Sequence, residues 1–320
     1  MPDIIFHIGY EKTATTYLQQ QIFPQVHALG NAFGVPGNHK LRKKMRSMAH
    51  QSPGIWETDA GKSLGNEIAE ISDRNPVLYS QEQLLRPPIY APIYNIHRHT
   101  GVPIKYKFSI AEHLEAFARY AWGNRGAVRV LVTIRNQAEW LASSYVQKSK
   151  RFQASQLDFE QHVRAMLKRD DYKGWRYLDY YLLYEELCAA LEPGKVTFLA
   201  YEDMHTSHYW QVLNNLLDTD FEMPQNTAEE HANVRRKNDK EWQLQQRELR
   251  LYAKLPKRLF NLSERVKTYE GRIMRALTNQ HKTTIQIPDD LRAEIMDVFA
   301  NSNRAIADVM NRDLSAYGYY

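Results

Sequence analysis

The residues best placed to do chemistry come early in the chain. Gly9-Tyr10-Glu11-Lys12-Thr13-Ala14-Thr15-Thr16 follow the apolar run Ile4-Ile5-Phe6-His7-Ile8 and precede Tyr17 to Phe23, a segment that can open a helix. A strand, a tight loop with a lysine and hydroxyls, and a helix N-terminus make an anion cradle, because unpaired backbone N–H groups and an ammonium converge on one point. The spacing is not that of a Walker loop, where a glycine directly precedes the lysine; here Glu11 precedes Lys12. A second cation closes another element. Val128-Arg129-Val130-Leu131-Val132-Thr133-Ile134 is a β-branched run that reads as a buried parallel strand. Arg135 and Asn136 end it. From Gln137 onward Ala138, Leu141, Ala142, Tyr145 and Val146 recur at helical spacing, with Ser143 and Ser144 turned away from that stripe. Ser143 lies about two helical turns beyond Arg135, so its hydroxyl can reach back towards an anion held by the guanidinium fork.

The first segment resembles the 5′-phosphosulfate-binding loop of the sulfotransferases: a glycine, two variable residues, then Lys-Thr-Gly-Thr-Thr and an aromatic. Ala14 stands where that family mostly has glycine. The stretch Ile134-Arg135-Asn136 through Ser143-Ser144-Tyr145 is similar to the family's 3′-phosphate site, with Gln137 in place of a proline. The resemblance implies a donor, 3′-phosphoadenosine 5′-phosphosulfate (PAPS), and in-line transfer of its sulfuryl group to an acceptor hydroxyl. It implies that Lys12 meets the leaving oxygen, where charge builds in the transition state. Gly9, Lys12, Thr13, Ala14, Thr15 and Thr16 would hold the 5′-phosphate, Tyr17 would lie near the adenine, and Arg135 and Ser143 would hold the 3′-phosphate. The same loop also reads as a Thr-rich start to an ordinary helix, and Tyr17 as a packed helix aromatic.

Pro76-Val77-Leu78-Tyr79-Ser80-Gln81-Glu82 reads as a short strand ending in polar residues, and in open α/β sheets such ends face the active crevice. Sulfotransferases carry their general base here, as a histidine or as a glutamate after a serine. Glu82 matches the second pattern and would accept the acceptor's proton. His97, His99 and His113 compete for that role, although none closes a strand. Val196 to Met204 is similar to the family's Tyr-Glu-Asp segment; Glu202 and Asp203 read as structural, with Asp203 the N-cap of the next helix. Arg235, Arg236 and Lys237 occupy the place of the basic loop that family members bring over the 3′-phosphate, and equally suit a solvated charge run. Phe299 to Ala307 is like the family's terminal helix.

Composition limits what else the chain can be. Across 320 residues, 43% hydrophobic and without an apolar run long enough to cross a bilayer, it can bury a sizeable core. Cys188 is the only cysteine, which forbids an internal disulfide and agrees with a reducing compartment. Met1-Pro2-Asp3 enters the first strand without a basic leader, so the expected setting is cytoplasmic. No His, Cys or acidic cluster has metal-ligand spacing, and no metal is expected. From Arg235 to Lys282 there are 14 Lys and Arg against 5 Asp and Glu. With Trp242, Leu249, Tyr252, Leu259 and Phe260 on a helical pattern, that stretch reads as a helical basic insertion over 233–286, suited to an anionic acceptor or simply solvated. Lys40 to Arg46 forms a second basic run, expected as a flexible lid.

These features predict one α/β domain over 1–320: a P-loop NTPase-like three-layer fold, with a central parallel sheet flanked by helices, plus the insertion. The expected partner is a small-molecule or glycan acceptor, not nucleic acid, and no transmembrane segment is expected. Two other classes fit parts of the pattern. A P-loop kinase would need Mg²⁺ and a strand-end aspartate where this chain has Arg135. A nucleic-acid-binding module could use the basic stretch, with affinity falling steeply in salt.

Overall fold

Ile4, Ile5, Phe6 and His7 form β1 (Ile4–His7), every residue of it buried, as a strand central in a parallel sheet must be. The computed structural model describes residues 3–25, 39–49, 51–70, 76–81, 110–149, 154–168, 178–223, 236–238, 241–245 and 284–320. The chain divides into two compact units, the first made of 1–136, 170–231 and 297–320, the second of 137–169 and 232–296.

In the first unit β1 pairs in parallel with β2 (Val77–Ser80) on one side and β3 (Val128–Ile134) on the other, and β3 pairs in parallel with β4 (Val196–Ala200). The order is β2-β1-β3-β4. Successive residues of each strand face opposite layers. Ile5, Leu78, Leu131 and Leu199 face a core completed by Leu18, Ile22, Phe23 and, from helix Ser207–Leu217, Tyr209, Trp210 and Leu213. On the other face Phe6 meets Tyr79 and Phe117 edge-on, and Tyr184 of helix Tyr180–Leu191 meets Phe198. Helices therefore cover both faces, the expected three-layer arrangement.

The crossover from β1 to β2 carries two helices, His39–Met48 and Asp59–Glu70. The basic run 40–46, expected as a flexible lid, belongs to the first of them. Leu41 and Met45 are buried on one side while Lys40, Lys43, Lys44 and Arg46 are exposed on the other, and Lys44 Nζ lies 2.7 Å from Glu67. The second helix comes unusually close to its neighbours through small residues. A Cβ added at Gly65 would lie 2.0 Å from the Ala121 carbonyl oxygen, and one at Gly61 2.6 Å from backbone atoms of Ile55 and Trp56.

The second unit contains helices Gln137–Lys148 and Gln156–Leu167 and the start of the long helix Asp289–Met310. It also holds an antiparallel sheet of Arg236–Asn238, Glu241–Gln243 and Thr284–Gln286. Helices are expected throughout 233–286, yet at both ends of that stretch the described residues are strands, with buried Trp242 directly opposite buried Ile285; 246–283 lie outside the described residues. Arg164 joins Glu160, Asp290 and Glu294 at 3.2, 2.6 and 3.1 Å. Helix 137–148 is buried on most of its surface, so Ser144, expected to face away from the apolar stripe, is 2% exposed. Among the described residues no helix is long and apolar enough to cross a membrane.

Candidate functional site

The strand order sets a topological switch point at the C-terminal ends of β1 and β3. From β1 the chain crosses to β2 on one side, then returns past β1 to β3 on the other, so the crevice beyond the C-terminal ends of β1 and β3 is the switch point where open α/β sheets bind ligands. The loop 9–14 leaves β1 there, and Arg135 leaves β3 there.

The loop begins pressed against its neighbour strand. Ile8 N–H donates to Leu131 O at 3.0 Å and Tyr10 N–H to Thr133 O at 3.1 Å, extending the ladder past the end of β1. Between them, a side chain at Gly9 would put its Cβ 3.1 Å from Thr133 N and 3.2 Å from His7 Nε2, a fit that only glycine makes without displacing a neighbour. The backbone then turns through left-handed conformations at Lys12 (φ 69°) and Ala14 (φ 54°, ψ 19°). From Thr15 the chain is wound continuously to Gln25, as a short α-turn, a π-wound segment and a 3₁₀ turn. Ala14 thus sits in a left-handed conformation that glycine adopts without strain and alanine does not.

Within the loop the hydroxyls divide. Thr13 is fully buried and donates to Tyr10 O at 2.5 Å, which turns its hydroxyl inward. Thr15 is buried at the first helical position, and Thr16 is exposed beside it. Lys12 is partly exposed, Glu11 is buried, and Tyr17 packs against the core of the sheet face.

Arg135 reaches across to this loop: its Nη1 donates to Lys12 O at 3.1 Å, and its guanidinium lies 4.9 Å from the centre of the Tyr201 ring. Its own carbonyl accepts the Tyr180 hydroxyl at 2.5 Å, and burial pushes that phenol far above its ordinary range. The next peptide is held as well, Asn136 N–H donating to Glu202 Oε1 at 2.9 Å. Burial raises the Glu202 carboxyl above the usual range, partly offset by that N–H and the nearby Arg135 charge.

Beneath the loop lies a buried polar network that no motif announces. His7 Nδ1 is 2.8 Å from Ser80 Oγ, His7 Nε2 is 3.3 Å from Thr133 Oγ1, and Gln19 donates to Ser80 Oγ at 3.0 Å. Burial pulls the imidazole down to about 4, so it is neutral at ordinary pH. Its one sequence signal is a polar residue inside an apolar strand.

The other candidate residues are placed as follows. Ser143 lies partly exposed on helix 137–148 of the second unit. Glu82, Arg235, His97 and His99 lie outside the described residues; Arg236 and Lys237 fall on a strand, their side chains outside the description. His113 is buried and accepts from the Trp56 indole N–H at 3.1 Å, a packing role. Asp203 is not the N-cap of the helix after β4. Thr206 caps that helix by accepting from Tyr209 N–H, while Asp203, 1% exposed, receives both Arg312 Nε and Nη2 at 3.0 and 2.6 Å. A local signal for capping was overridden by a partner 109 residues away. Cys188 is half-buried, and desolvation raises its thiol. Among the described residues no group of three or more His, Cys, Asp or Glu side chains gathers as metal ligands.

No family model matches the chain, and neither does any curated protein sequence. Among solved structures, one similar to this chain is the crystal structure of a sulfotransferase from Alicyclobacillus acidocaldarius, at 13% identity and a TM-score of 0.48 over 99% of this chain and 98% of that one.

Proposed function

We propose that this protein is a sulfotransferase that moves a sulfuryl group from PAPS to an acceptor hydroxyl, on a small molecule or a glycan. The observation that carries the reading is the juxtaposition of two anion-binding elements at one switch point, with the Arg135 guanidinium bonded to the carbonyl of Lys12 itself. The residues present fit a doubly phosphorylated adenosine. Left-handed turns at 12 and 14 shape a loop that ends at a helix start, and an arginine with a planar fork stands beside it. Bound PAPS would supply the sulfuryl group, whose bond to the phosphate oxygen breaks as a bond to the acceptor oxygen forms.

The chain's own residues would then divide the work. Lys12 stabilises the charge on the departing phosphate oxygen. The loop N–H groups with Thr15 and Thr16 hold the 5′-phosphate, and Arg135 fixes the 3′-phosphate. Ser143 is assigned to that phosphate by its spacing in the sequence, and Glu82 is assigned the acceptor proton by its place after β2. Arg235, Arg236 and Lys237 are assigned to the 3′-phosphate by sequence position. Arg135 stands where a P-loop kinase would place a metal-binding aspartate.

Calorimetric titration separates the readings. Micromolar binding of adenosine 3′,5′-bisphosphate without metal, together with sulfate transfer from labelled PAPS to a pooled set of glycan and phenolic acceptors, supports the proposal. A preference for ATP-Mg²⁺ replaces it with a kinase. Binding only to nucleic acid, with steep loss in salt, replaces it with a non-catalytic module.

A further inference from the structure

The turn that carries Arg135 is held from behind by a segment far away in sequence. Asn136 Nδ2 donates to two consecutive carbonyls, Tyr317 O at 3.2 Å and Gly318 O at 2.8 Å. The Asn136 N–H donates to Glu202 Oε1, and the other oxygen of the same carboxyl accepts the Tyr319 hydroxyl at 2.9 Å. The segment that supplies these groups is itself anchored at three points. Arg312 pairs with Asp203, the Tyr317 hydroxyl donates to Asp203 Oδ1 at 2.8 Å, and Tyr319 O accepts from buried Asn303 at 2.7 Å. Tyr319 and Leu314 are fully buried.

We propose that residues 312–319 are a positioning clamp that fixes the Arg135 guanidinium for the 3′-phosphate and so sets the preference for a 3′-phosphorylated nucleotide. This rests on the function proposed above. Asn136 follows Arg135 directly and has its N–H and its side-chain amide both held, so rotation of the Arg135–Asn136 peptide is blocked from one side. Tyr180 holds the Arg135 carbonyl from the other. A bidentate contact between guanidinium and phosphate tolerates little displacement, and misplacement by an ångström is enough to lose most of such an interaction. The bonds that define the clamp run to Asn136, Glu202, Asp203 and Asn303, while Arg135 meets the 5′-phosphate loop at the Lys12 carbonyl, so cutting the clamp should weaken the 3′-phosphate contact far more than the 5′-phosphate one.

The test uses the full chain with two variants. Tyr319→Phe keeps the buried ring and removes the hydroxyl that braces Glu202; Asn136→Ala removes both amide bonds. Affinities for adenosine 3′,5′-bisphosphate and adenosine 5′-monophosphate are measured by calorimetry, with thermal unfolding to establish folding. The expected result is roughly tenfold weaker binding of the bisphosphate, with the monophosphate changed by less than about twofold. If Asn136→Ala fails to fold, Tyr319→Phe decides alone. Variants that keep the wild-type preference for the bisphosphate, or that lose both nucleotides equally, overturn the clamp and leave the function standing. A wild-type chain that does not distinguish the two nucleotides overturns the functional reading, and the clamp with it.

Discussion

At the scale of single residues, the proposed function gives two side chains separable roles. Lys12→Ala should lower turnover by about a hundredfold or more, the usual loss when one group facing transition-state charge is removed, while changing bisphosphate affinity little. Arg135→Ala should do the reverse, weakening the bisphosphate by about 2 kcal/mol, as loss of a charged hydrogen bond does. Steady-state kinetics paired with calorimetry reads both, and the opposite ordering would mean the two assignments are exchanged. Ala14 tests the loop's conformation through stability rather than activity. An alanine in the left-handed region costs about 1 kcal/mol relative to glycine, so Ala14→Gly should raise stability in urea by somewhat less than that, because glycine also loosens the unfolded chain. A fall in stability would show that the turn is not strained. The places of these residues in the fold were unevenly legible in the sequence. Arg135 stood out because it closes an apolar run, and Lys12 because it sits in the Thr-rich loop that follows one. His7 and Asp203 did not, because the partners that define them, Ser80, Thr133 and Arg312, lie 73 to 126 residues away.

At the scale of elements, the four strands of the parallel sheet were readable because each is a short, mostly apolar run, the pattern of a strand covered on both faces. Val128–Ile134 and the helix from Gln137 appear with the bounds that the sequence suggests. The short strands around Trp242 and Ile285 escaped because three residues cannot show a period of two against a helical background. Helix Asp59–Glu70 offers a decisive test of packing. Its approach to the Ala121 carbonyl leaves no room for a Cβ at Gly65, where the nearest atom is rigid backbone. Gly65→Ala should therefore destabilise the protein by about 2 kcal/mol or more through overpacking, despite alanine's better helix propensity. Equal or greater stability in a urea melt would refute that contact.

At the scale of the whole molecule, the buried imidazole of His7 ties stability to pH. Its ordinary value is about 6.5 and burial lowers it to about 4 in the folded state. Between those values the unfolded chain binds a proton that the folded chain does not, so stability falls as pH drops from about 6.5 to about 4, by up to about 3 kcal/mol. Glu202, raised by desolvation, acts in the opposite sense within its own window, so the comparison must be with a variant. His7→Gln keeps a hydrogen-bonding side chain and cannot titrate; the stability gap between it and the parent should narrow from pH 7 to pH 4.5. A constant gap would show that His7 is not held neutral. The layout of the sheet has one more consequence. Ile4 pairs with Val128, and Asn136 reaches carbonyls more than 180 residues further on, so neither half of the crevice can form from neighbours in the chain. Loop closure over such separations is slow, so under the proposed function a refolding chain should acquire its helices well before it can capture nucleotide, and recovery of ligand affinity should come last on the folding clock.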